Sequence, residues 1–79
     1  MMSPEEARKI VLTKLPKGIN LGPVVDYKGH YVFGVVDPNY IGHPAMGVNK
    51  TTGSIKEFNY MDPGLIKAGK NQYPQRYVE

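Results

Sequence analysis

Cysteine is absent from the 79 residues, so the chain has no disulfide to staple it and no thiolate for metal or redox chemistry. Histidine is scarce. His30 and His43 are the only two, on separate elements, which leaves too few ligands for a metal site. Serine is also scarce: Ser3 fits a helix cap and Ser54 follows a turn glycine, so neither reads as a nucleophile at a strand-to-helix elbow. No apolar run approaches the ~18 residues of a membrane span. The opening MMSPEEARK carries two acids and lacks the apolar stretch of a secretory signal. A soluble protein made and kept inside a cell is expected, or one built into something assembled there.

What is present specifies a small fold. A chain of this length forms one domain and buries only about 60% of its unfolded surface. A hydrophobic content of 41% is enough for a core, while nine glycines and seven prolines imply short elements and many turns. The net charge of +3 is unevenly placed. Residues 1–64 carry seven basic and six acidic side chains, and the last fifteen carry three and one. Arg8, Lys9, Lys14 and Lys17 lie beside Glu5 and Glu6, as on the solvated side of a helix whose last-turn cations complement its dipole. A nucleic-acid contact would rest on Arg8, Lys9, Lys17, Lys67, Lys70 and Arg76, but these are not gathered on one face or helix, so no nucleic-acid partner is expected.

Local signals place the elements. Ser3, Pro4 and Glu6 spell an N-cap, a first-turn proline and a capping box. Ala7, Ile10, Val11, Lys14 and Leu15 follow at helical spacing, and Pro16 and Gly18 end the run, which predicts a helix from Pro4 to about Lys14. Strands are predicted at Leu21–Tyr27, His30–Asp37, Ala45–Asn49 and Ser54–Tyr60. Lys28-Gly29 and Asn49-Lys50-Thr51-Thr52-Gly53 are hairpin turns. Alternation puts Tyr31, Phe33 and Val35 on one sheet face and Val32, Gly34 and Val36 on the other. The resulting expectation is an α+β fold: one N-terminal amphipathic helix packed on a four-stranded antiparallel sheet over residues 1–66. Leu65 and Ile66 make at most one helical turn, and residues 67–79 form an extended C-terminal arm. One helix covers one sheet face, so the other face is left to solvent or a partner.

Catalytic groups do not converge. Asp26 and Asp37 fall at opposite ends of the first hairpin, and no glycine-rich phosphate loop precedes a helix. No enzyme, cofactor or metal is expected. Surface is what remains. Six tyrosines stand against two phenylalanines, and tyrosine suits interfaces where one end is buried and the other wet. Tyr40, Ile41 and His43 occupy a proline-bounded loop, and Tyr73, Arg76 and Tyr77 lie on the arm. These six are the predicted protein-binding residues. Tyr31 and Tyr60 are expected to stay within the sheet.

The hairpin Ala45 to Phe58 (AMGVNKTTGSIKEF), Glu5-Glu6-Ala7, Tyr31 to Asp37 (YVFGVVD) and Met61-Asp62-Pro63 together resemble a PepSY-like (cystatin-like) domain. More narrowly they resemble stand-alone proteins encoded in phages and prophages of low-GC Gram-positive bacteria. The resemblance implies a helix on an antiparallel sheet and a function in protein contacts. It points to an accessory protein that binds a larger assembly, such as a capsid or tail, in the virion or the host cytoplasm. The alternative it implies is a small inhibitor or immunity protein that blocks one enzyme by one-to-one binding. The partner is a protein in either case, and a homo-oligomer is possible.

Overall fold

The computed structural model describes residues 1–74. Helix α1 spans Pro4–Leu12. The Ser3 hydroxyl accepts from the Glu6 N–H at 3.2 Å, and the Glu6 carboxylate accepts from the Ser3 N–H at 3.0 Å. That reciprocal pair satisfies two of the amides a helix start leaves open. The helix ends short of Lys14 because Thr13 is its C-cap, with its hydroxyl donating back to the Ile10 carbonyl at 2.6 Å.

Four strands follow: β1 Leu21–Tyr27, β2 His30–Val35, β3 Ala45–Asn49 and β4 Ile55–Phe58. They form one antiparallel sheet in the order β1-β2-β3-β4. The β1–β2 turn has positive φ at both Lys28 (48°) and Gly29 (74°), the mirror-image turn that matches strand twist. In the β3–β4 loop the Asn49 side chain accepts from the N–H groups of Thr51 and Thr52, each at 2.9 Å. Two strands stop earlier than their apolar runs. Asp37 accepts from the Asn39 N–H at 3.0 Å and starts a 3-10 turn at Pro38–Tyr40. Asn59 accepts from the Met61 N–H at 2.9 Å, so Tyr60 lies beyond the sheet and not within it.

The protein is α+β, with two α-helices among the described residues and not one. Residues Pro63–Gln72 form helix α2, which corrects the extended reading of 67–72 and puts the boundary expected at residue 66 inside a helix. Asp62 caps it and Pro63 takes its first turn. Its buried residues, Leu65 and Gly69, are spaced by four. The small Gly69 hid that stripe from the apolar pattern. Arg76 and Tyr77 lie outside the described residues.

Each sheet face carries a cluster. On one, Ala7 and Val11 of α1 join Phe33, Met46 and Val48. On the other, Leu65 of α2 joins Val32, Ala45 and Phe58, with Val25 and Tyr27 packed alongside. The face that the sequence left to solvent or a partner is therefore partly covered by the chain's own second helix. The Phe58 ring lies on Gly47, filling the space a Cβ would take. Burying two small clusters on two faces suits a chain too short for one large core.

Candidate functional site

The α2 face holds a groove. Helix α2 contacts the sheet mainly through β1. Gly22, Gly34 and Ala45 put little side chain on the floor beside it, and Gly69 keeps the helix side shallow. The result is an apolar pocket of about 180 Å³, walled by Val36, Ile66 and Tyr73 and ending at Tyr60. A Cβ at Gly34 would meet no atom within 4 Å, so the space above it is open. Val36 and Tyr60 are 55% and 48% exposed. Tyr60 also borders a more open depression lined by Gly42, Pro44, Glu57, Phe58 and Asn59, which reaches the 37–44 loop.

That loop is braced from within. The Tyr40 N–H donates to the Asp37 carbonyl at 2.9 Å, and the His43 N–H to the Tyr40 carbonyl at 3.1 Å. The Tyr40 and His43 rings meet edge to face with centroids 6.2 Å apart. Both side chains are half-buried, while Ile41 between them is 91% exposed. Ile41 thus projects from a stiff base, next to neither core cluster.

Tyr73 stands elsewhere, and its role is partly internal. Its ring lines the groove and its hydroxyl donates to the Val24 carbonyl. Next to it the Gln72 amide bonds both backbone groups of Asp26. Among the expected binding residues, Tyr40, Ile41 and His43 are brought together on the loop, and Tyr73 sits at the groove. Sequence reasoning missed Gly34, Val36, Tyr60 and Ile66. A glycine inside the strongest strand was the available signal, because it marks a place where another group approaches the backbone.

Titratable groups add little. Two hydrogen bonds from Ser3, the backbone one foremost, hold the Glu6 carboxyl below its ordinary value. Among the described residues no three His, Cys, Asp or Glu side chains come together as a metal site. His30 and His43 each point Nδ1 at a nearby carbonyl, of Lys28 at 2.8 Å and Pro44 at 2.7 Å. Arg8 donates to the Gly22 carbonyl at 3.1 Å and lies over the Phe33 ring at 5.0 Å, which removes it from the solvated helix face. Lys50 pairs with Asp26 at 2.5 Å. No helix among the described residues is long and apolar enough to cross a membrane. A scan against protein-family models, a search of curated proteins and a search of solved structures each return no match.

Proposed function

We propose that the protein is a non-enzymatic binding module that docks on a larger protein assembly through the groove and the adjoining loop. One observation carries this reading. A preformed apolar pocket lies beside large apolar side chains left in water, Val36 and Tyr60, with Ile41 on the braced loop nearby. Burying them on a partner removes that exposure at little conformational cost, because loop and floor are already ordered. The PepSY-like, phage-type spelling of the hairpin makes a capsid or tail surface the assembly proposed. The site is then the virion, or the host cytoplasm before assembly.

The test is incorporation. Particles are assembled with tagged wild-type protein, with Gly34→Leu, which fills the groove, and with Ile41→Asp. Neither variant should melt below the wild type, and each should lose at least about tenfold in particle-bound protein. Equal incorporation of all three would refute groove docking.

A second reading rests on Ile41 itself. A single exposed apolar residue on a stiff, proline-bounded loop suits a wedge placed in an enzyme's cleft, as in a small inhibitor or immunity protein. It predicts a one-to-one complex that Ile41→Asp abolishes and Gly34→Leu does not.

A further inference from the structure

The two edges of the sheet are treated differently. On β1 the outward-facing backbone groups belong to Val24 and Asp26. Three of them are occupied, the Val24 carbonyl by Tyr73 and both groups of Asp26 by Gln72. On β4 the Asn49 N–H donates to the Ser54 carbonyl at 2.9 Å, which fixes the phase of the ladder. Residues 54, 56 and 58 turn their backbone groups inward to β3, and Ile55 and Glu57 turn theirs outward. Among the described residues no strand lies beyond β4. Lys56 and Glu57 project to opposite faces at this edge, and both are exposed.

We propose that the β4 edge is a strand-addition site for an extended segment of another protein, running antiparallel, that carries in order an apolar, a basic, an acidic and an apolar residue. These stand opposite Phe58, Glu57, Lys56 and Ile55. Backbone bonds to Ile55 and Glu57 supply attachment, and the two charge pairs supply register and choice of partner.

A second copy of the chain is a poorer match, although Ile55-Lys56-Glu57-Phe58 has that same pattern. Opposed residues in an antiparallel pair share a face. A two-fold axis through the sheet therefore never sets Lys56 against Glu57: centred on either residue it opposes like charges, and centred on Ile55 or Phe58 it leaves both without an ionic partner across the seam. Like charges directly opposed are repulsive. The edge thus favours a strand of complementary order, which gains two ion pairs that no symmetric pairing of two copies makes, independently of the groove on the α2 face.

The probe is a labelled ten-residue peptide of alternating Thr and Val with Val-Arg-Asp-Val at its centre. Its control has the central pair reversed to Asp-Arg. The cognate peptide should bind saturably, about tenfold more tightly than the control. It should slow amide exchange at Ile55 and Glu57. The double variant Lys56→Glu, Glu57→Lys should invert the preference, and Gly34→Leu should leave it unchanged. No saturable binding, equal binding of both peptides, or protection confined to β1 overturns the proposal.

Discussion

The Gln72 side-chain amide pairs with the backbone of Asp26 as a neighbouring strand residue would, accepting from its N–H at 2.8 Å and donating to its carbonyl at 2.9 Å. The contact joins residues 46 positions apart and closes the β1 edge. Unpaired edges template association, so the pair acts on solubility as well as stability.

Gln72→Ala should lower stability by about 1 kcal/mol, the net worth of exchanging such bonds for water. Amide exchange at Asp26 should quicken, and the concentration threshold for aggregation should fall. Denaturant melts and light scattering read both effects. An unchanged exchange rate at Asp26 would refute the edge role.

Two glycines on the same face should respond oppositely to alanine. Gly47→Ala drives a methyl into the Phe58 ring and should cost about 1–3 kcal/mol. At Gly34 the methyl meets nothing, and replacing a strand glycine should stabilise by about 0.5–1 kcal/mol. Paired thermal melts decide this. Equal effects would mean that Phe58 does not sit on Gly47.

Arg8→Leu keeps an apolar stem but loses the bond to the Gly22 carbonyl and the contact with the Phe33 ring. A loss of about 1–2 kcal/mol is expected. Lys9→Leu, on the exposed side of the same helix, should change stability by less than about 0.5 kcal/mol.

Glu6 gives an acid-side pH dependence of known sign. Its carboxyl is held low in the folded state by bonds to Ser3, so its contribution is present above the ordinary glutamate value, about 4.3. That contribution disappears as pH falls through the lower folded value. Glu6→Gln keeps an acceptor for the capping box and should flatten this part of the stability curve. Carboxyl titration by NMR should find Glu6 below its ordinary value and returning only part of the way in Ser3→Ala, which removes the hydroxyl and keeps the backbone N–H.

The elements legible in the sequence are those fixed by near neighbours. The Ser3–Glu6 box, the Lys28-Gly29 turn and the Asn49–Gly53 loop each join residues at most four apart, so residue type alone implies them. Strand faces were legible for the same reason, since alternation is a property of one strand. Helix α2 was obscured because Gly69 leaves a gap in its apolar stripe and Lys67, Lys70 and Asn71 dominate its composition. The loop residues Tyr40, Ile41 and His43 could be named from their loop, but not that Tyr40 and His43 brace it while Ile41 projects.

By itself the sequence determined the two hairpin turns, the N-cap of α1, the four strands and the absence of thiol chemistry, each through residue type or interactions spanning a few residues. Only the tertiary structure decided that α2 lies on the second face, that a glycine floor beneath it stays open, and that, among the described residues, one sheet edge is closed while the other is unpaired. Those outcomes depend on contacts such as Tyr73 with Val24, 49 positions apart, and Arg8 with Gly22. No local pattern encodes such contacts, because they form only once both partners have been placed by the rest of the fold.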